Sequence, residues 1–302
     1  MNTPPKSWAG IASLFVVYIV WGSTYLAIRY AVREGSGFPA FWMAGSRTLL
    51  GGLILFGLAI AMRQSLRLKR SDWVVTVVSS ILLWNGGNGL VTWAEQRASS
   101  GYAALVIGTT PLWGAVVESI LQRSWPRRRL VVSLLIGFAG LAVLTWPMIR
   151  TGGRADWIAT IALLCAPISW SIGSAYQQRH RLTQPIFVSS AYQQIIGALV
   201  FFLLAWVTAE PTPQPTHEAW LAWGYLVVFG SVIAYTAYVT ALRALPLPVL
   251  MTYAYVNPVI AVFLGWLILS EPITATTLLG TALILAGVAA LFYEKFSSGT
   301  EK

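Results

Sequence analysis

Charge is scarce in this chain, and acid is scarcer: 10 Asp and Glu stand against 20 Lys and Arg, and charged residues make up only 10% of 302. A soluble domain carries about a quarter charged residues, because its surface faces water. Only one cysteine is present, Cys165, so no internal disulfide forms. The two histidines, His180 and His217, are too few for the usual zinc site. Disulfide scaffolds and zinc enzymes are thereby set aside, and no cofactor is expected. The net charge of +10, with a pI near 10, would suit nucleic acid only if the basic residues formed a face, and here they sit in short loops between apolar runs. What the chain has in quantity is apolar surface: 57% of residues are hydrophobic and the mean hydropathy is +0.68. Its expected solvent is lipid.

A helix crosses a hydrocarbon core with about 20 apolar residues. Stretches without Asp, Glu, Lys or Arg run over 7–28, 73–94, 130–149, 157–178, 182–209, 219–242, 244–270 and 272–293. Gly35 to Met62, broken by Arg47, and Ala98 to Gln122, broken by Glu118, add two more. The expected fold is therefore all-α and polytopic, with ten transmembrane helices. Strands of a barrel alternate and need only about 10 residues, which these runs do not resemble. The segment before the first run, Met1 to Lys6, is like the basic start of a secretory signal, but the run is too long and no cleavage site follows it. With the N-terminus inside, fourteen Lys and Arg fall on the inner side (Lys6, Arg63, Arg67, Lys69, Arg70, Arg123, Arg127, Arg128, Arg129, Arg179, Arg181, Arg243, Lys295 and Lys302). The outer side has five, Arg29, Arg33, Arg97, Arg150 and Arg154. Both termini are expected in the cytoplasm.

The chain also repeats itself. A shift of 147 positions lays Thr110-Pro111 on Asn257-Pro258 and Ala139-Gly140-Leu141-Ala142 on Ala286-Gly287-Val288-Ala289. A shift of 146 lays Pro39 on Pro185 and Arg47 on Gln193, and one of 149 lays Trp21 on Trp170. The halves, 1–150 and 151–302, would each hold five helices, and an odd number inverts the second half in the membrane. Inverted repeats suit a carrier whose central site opens to each side in turn.

Tyr18-Ile-Val-Trp-Gly-Ser-Thr-Tyr25, Gly87-Asn-Gly-Leu-Val-Thr-Trp-Ala-Glu95, Ser169-Trp-Ser-Ile-Gly-Ser174 and Tyr253-Ala-Tyr-Val-Asn-Pro258, in that order and spacing, resemble the drug/metabolite transporter superfamily and its ten-helix EamA-type permeases. The resemblance covers the whole chain. It implies a bacterial inner-membrane exporter of amino acids or related small metabolites, with a multidrug or purine-like exporter as the alternative. One departure is visible: Glu271-Pro272 follows the ninth helix, whereas the first half has Trp125-Pro126 at the matching place.

Polar side chains within spans are costly toward lipid and so face the bundle or a water-filled cavity. Helical spacing aligns Tyr18, Gly22 and Tyr25 on the first helix and Asn85, Asn88 and Thr92 on the third. It likewise aligns Ser231, Tyr235 and Tyr238 on the eighth and Tyr253 and Asn257 on the ninth. With Thr110, Trp21 and Trp170 these are the candidate substrate-binding residues; interhelical glue is the competing role for the Asn and Ser side chains, and packing for the two tryptophans. Pro111 and Pro258 are candidate hinges or passive kinks. Trp8, Trp73, Trp157, Trp220 and Trp223 read as interfacial anchors. Arg47 lies about 12 Å deep and suits either a substrate carboxylate or helix-end carbonyls. Glu118 is expected to pair with Arg123. No span carries an acid or histidine near its centre, so transport is expected to be facilitative. The small-residue spacings Ala282, Ala286, Ala290 and Ser133, Gly137 suit close packing or a homodimer. An enzyme would need a nucleophile and base, or paired carboxylates, at depth, and that pattern is absent; a channel would want a continuous polar or charged pore ring, and saturation of flux with concentration would argue against it. The expected partners are a small-molecule substrate and the lipid bilayer.

Overall fold

A computed structural model describes residues 7–98, 100–150, 157–269 and 273–297. Lys6, Arg154, Glu271-Pro272 and Lys302, which entered the reading of orientation and family, lie outside the described residues.

The regular structure among the described residues is all helical, without a strand. The helices are α1 (Ser7–Val32), α2 (Ala40–Ala61), α3 (Arg70–Ala94), α4 (Ser100–Ile107 and Thr110–Gln122), α5 (Arg128–Arg150), α6 (Trp157–Arg179), α7 (Ile186–Val207), α8 (His217–Ala244), α9 (Leu247–Leu250 and Tyr253–Leu269) and α10 (Ala275–Ser297). Among the described residues nine helices are long and apolar enough to cross a membrane, and the shorter apolar helix Leu247–Ile260 accompanies them. Trp8, Trp73, Trp157 and Trp220 are exposed near span ends; Trp223 is half-buried and donates to Ser46 Oγ at 3.0 Å.

The packing follows the repeat. α2 lies along α7, and α5 along α10, each pairing equivalent helices of the two halves. α1 crosses to pack on α8 and α9, and α6 crosses to pack on α3 and α4. Each half therefore lends its first helix to the other.

Small residues let the α5–α10 pair close. A side chain at Gly287 would sit 2.7 Å from Gly137 N and 2.8 Å from Ser133 O, and one at Gly140 would sit 2.6 Å from Ile284 N. Ser133 and Gly137 thus serve the bundle. The α10 seam runs through Gly280, Ile284 and Gly287, however, while Ala282, Ala286 and Ala290 point outward. The register differs by two positions from the stripe of alanines because backbone approach is tightest where no Cβ intervenes.

Two polar staples close the connections. At one end, Gly37 in the left-handed region (φ 72°) brings its carbonyl to Gln214 N at 2.8 Å, and Glu210 accepts from Phe41 N and Trp42 N at the start of α2. At the other end, buried Asp72 accepts from Thr183 Oγ1 at 2.8 Å and Gln184 Nε2 at 2.6 Å. The Glu210 bonds satisfy amides that the start of α2 would otherwise leave bare, and the Asp72 bonds tie the start of α3 to the connection between α6 and α7.

Candidate functional site

Equivalent stretches of α3 and α8 depart from α-helical winding. Ile81–Gly89 and Leu226–Ala234 are π-helical. The first holds Asn85-Gly86-Gly87-Asn88-Gly89, whose three glycines have no Cβ to resist a wider turn. A π turn alters which side chains share a face, so the spacing that aligned Asn85 with Asn88 no longer holds. Asn85 Nδ2 turns to α7 and donates to Gly197 O at 3.0 Å; Asn88 turns to α2 and accepts from Arg47.

Between these elements lies a cavity enclosing about 670 Å³ of empty space, including the part open to solvent. It runs from mid-bundle toward the end carrying the 33–39 and 208–216 connections. Its wall takes Trp21, Thr24, Tyr25 and Ile28 from α1, Arg47 from α2, and Trp84, Gly87, Asn88 and Val91 from α3. Ile107 and Thr110 from α4, Ala166, Pro167 and Trp170 from α6, Gly230 from α8, and Tyr253 and Asn257 from α9 complete it.

Its floor is aromatic. Trp21 meets Trp170 edge to face at 5.5 Å and Tyr253 at 5.1 Å, and tilts on Tyr238 at 5.1 Å. Tyr238 holds Trp170 Nε1 at 2.9 Å and Ser174 Oγ at 2.5 Å. On the flank, Arg47 is 3% exposed; its guanidinium donates to Asn88 Oδ1 at 2.9 Å and lies 5.7 Å from the Trp84 ring centroid, within cation–π reach. Arg47 is the charged side chain of the wall, whose residues include no acid and no histidine. Asn257, with its amide oriented to satisfy both bonds, donates to Tyr18 O at 3.2 Å and Tyr253 O at 2.9 Å.

Of the residues singled out from sequence, Trp21, Tyr25, Asn88, Thr110, Trp170, Tyr253 and Asn257 meet at this wall. The others lie beyond it. Tyr18 bonds Thr252 Oγ1 at 2.5 Å, Gly22 abuts Ile260, and Thr92 returns its hydroxyl to Asn88 O. Ser231 O accepts from Gln194, and Tyr235 donates to Gln193 Oε1 at 2.8 Å. Gln193, the counterpart of Arg47, also bonds Ser79 Oγ and Gln177 Oε1, so a hydrogen-bonded network links α3, α6, α7 and α8 around it. The prolines differ. Pro111 opens the second piece of α4 directly after the break at Gly108-Thr109, whereas Pro258 lies inside α9, six residues past the turn at Met251-Thr252. Glu118 accepts from Gln122 Nε2 at 2.9 Å instead of pairing with Arg123, whose left-handed backbone (φ 51°) ends the helix.

Glu95 is the residue that sequence reasoning passed over. It directly follows α3 and counts by position as a loop acid, yet it is 0% exposed. Arg29 of α1 donates to its carbonyl oxygen, while its two carboxylate oxygens have no hydrogen-bond partner. Burial pushes the carboxyl up to about 8, against the opposing pull of the Arg29 and Arg47 charges. Its only signal in the sequence is the motif Thr92-Trp-Ala-Glu95, which places an acid directly after a span.

Known proteins share this architecture. A solved crystal structure aligns over 98% of this chain and 100% of its own, at a TM-score of 0.80 and 23% identity. A protein of Escherichia coli (strain K12) named "Uncharacterized inner membrane transporter YedA" is 34% identical over 290 residues, covering 94% of this chain and 90% of its own. An "S-adenosylmethionine/S-adenosylhomocysteine transporter" of Chlamydia trachomatis serovar L2 is 26% identical, covering 95% and 91%. The EamA-like transporter family matches twice, over 8–146 and 157–293. The chain is a multi-pass membrane transporter, not an enzyme, and it belongs to the EamA-like transporter family of the drug/metabolite transporter superfamily.

Proposed function

We propose that the chain carries amino acids, or metabolites built on an amino acid, across the bacterial inner membrane, with export down the substrate gradient as its direction. The observation that carries this reading is one buried arginine, Arg47, set beside an aromatic floor of Trp21, Trp170 and Tyr253. A guanidinium matches a carboxylate bidentately, and the rings offer apolar area to the rest of the molecule. The Chlamydia relatives are named for two compounds that join an amino acid to a purine nucleoside, which fits the same division of labour. A cationic drug without a carboxylate would leave Arg47 unanswered.

Movement follows from the repeat. Residues 1–150 and 151–302 act as inverted halves, and the exchanged helices α1 and α6 carry matching tryptophans to the middle. In the state described, the cavity faces the end reached by the 33–39 connection, taken as the outside, and the Gln193 network seals the other end. Exchange of these roles opens the cavity inward. A wall without acid or histidine supports a carrier driven by the substrate gradient alone. Both termini lie in the cytoplasm.

The test is flux in liposomes holding the purified protein, across a panel of amino acids, S-adenosyl compounds, nucleosides and cationic drugs. The reading expects transport of carboxylate-bearing compounds and little of their carboxamides. Transport of drugs or nucleosides alone would overturn it.

A further inference from the structure

Behind the Arg47 side of the cavity is a buried cluster that the proposed transport cycle does not use. Glu95 does not line the cavity. Around it, α1 contributes Arg29 and Tyr25, and α2 contributes Arg47. The facing part of α6, Ala159 to Ala166, has Cys165 as its one ionisable side chain, and that is exposed. The π segment of α3 contributes none, and Arg97, two residues on, is exposed over Trp93. With all groups ionised, two arginines face one carboxylate and the cluster is left with one net positive charge.

The bonds within it are incomplete. No ion pair within 4.0 Å joins Glu95 to either arginine, both carboxylate oxygens lack a hydrogen-bond partner, and so does Arg47 Nε. Arg47 instead turns a nitrogen to Asn88, at the cavity. A buried carboxylate and a buried guanidinium, each with unmet bonds, act on one another electrostatically with no bond between them. Leaving such atoms unpaired is costly, which favours any arrangement that joins them.

We propose that Glu95 is an internal competitor for Arg47: its ionised carboxylate takes the guanidinium from a substrate carboxylate and promotes release, and its protonated form leaves Arg47 to the substrate. This rests on the reading of Arg47 as a carboxylate anchor. Glu95 acts through Arg47 and is a positioning residue. Because Arg47 cannot serve both carboxylates fully, substrate binding and ionisation of Glu95 oppose one another, and by linkage each weakens the other equally. The raised carboxyl described above puts the change of hand near neutral pH, where such a group responds to modest changes in its surroundings.

The experiment uses the full-length protein in detergent or lipid nanodiscs, with S-adenosylhomocysteine as probe. Its affinity is expected to fall on the order of tenfold as pH rises through about 8, whereas Glu95→Gln holds the tight, low-pH affinity throughout. Infrared titration of the Glu95 carboxyl, identified by its loss in Glu95→Gln, supplies a reading that needs no ligand. Arg47→Gln is expected to move that titration to higher pH, since a favourable positive charge is lost. A pH dependence of binding unchanged in Glu95→Gln, or a carboxyl titration that ignores Arg47→Gln, would overturn the proposal. Failure of the substrate reading shows separately: the flux panel would then move only compounds without a carboxylate, whatever the infrared titration gives.

Discussion

Trp21 and Trp170, equivalent positions of the two halves, meet edge to face at the centre of the molecule with ring centroids 5.5 Å apart and planes at 79°. One comes from each exchanged helix, so a substrate resting on them touches both halves at once. Trp170→Phe keeps a ring but loses the Nε1–H that Tyr238 accepts. The expected result is a KM raised about threefold to tenfold, in line with aromatic contacts of about 1 kcal/mol, with maximal flux little changed. Trp170→Ala is expected to lose more. Flux against concentration in liposomes measures both.

Arg47→Gln removes the charge but retains a donor for Asn88 Oδ1. Charge-assisted bonds are worth about 1.5–3 kcal/mol, so affinity for carboxylate-bearing substrates is expected to fall roughly 10- to 100-fold. Their carboxamide analogues are expected to lose little. Arg47→Lys restores charge without the planar fork and should recover only part of the loss. Parallel flux measurements on each acid and its amide decide this.

Much of the fold is legible in the residue pattern, because lipid demands long apolar helices and punishes charge. The helix pattern follows from that alone, and the offsets near 147 are read directly from matching residues. Half of the candidate wall, from Trp21 to Asn257, is legible for the same reason. Asn85, Ser231 and Tyr235 are misplaced by a spacing argument that assumes 3.6 residues per turn, whereas both of their helices widen into π turns. The pairing of Asn88 with Arg47 depends on that widening. Glu95 is invisible to hydropathy because its burial comes from helices far away in sequence.

The α5–α10 seam has no room for a side chain at Gly287, and a side chain at Gly137 would run into Tyr255 of α9. Gly287→Leu is expected to lower thermal stability sharply and reduce folded yield in the membrane, since its Cβ alone would lie 2.7 Å from Gly137 N. Ala286→Leu, one position away but outward-facing, is expected to fold normally. Thermal unfolding followed by size-exclusion chromatography separates the two.

Glu95 also predicts how stability varies with pH. Its carboxyl is raised in the folded protein from the ordinary 4.5 to about 8, so folding favours the protonated form. The stability it allows is fully present below about 4.5 and is lost as pH rises through about 8. The thermal midpoint of purified protein is expected to fall by a few degrees over that window, and Glu95→Gln to remove the fall. An identical pH profile in the variant would show that the acid titrates normally.

The central claim is one cavity reached from each side of the bilayer by turns. Thr110 lies on its wall at mid-bundle, and Thr110→Cys in a Cys165→Ser background gives a single thiol there. Reaction with a membrane-impermeant thiol reagent, measured in intact cells and in inverted vesicles, is expected from both sides. Reaction from one side only, under every substrate condition, would contradict the account.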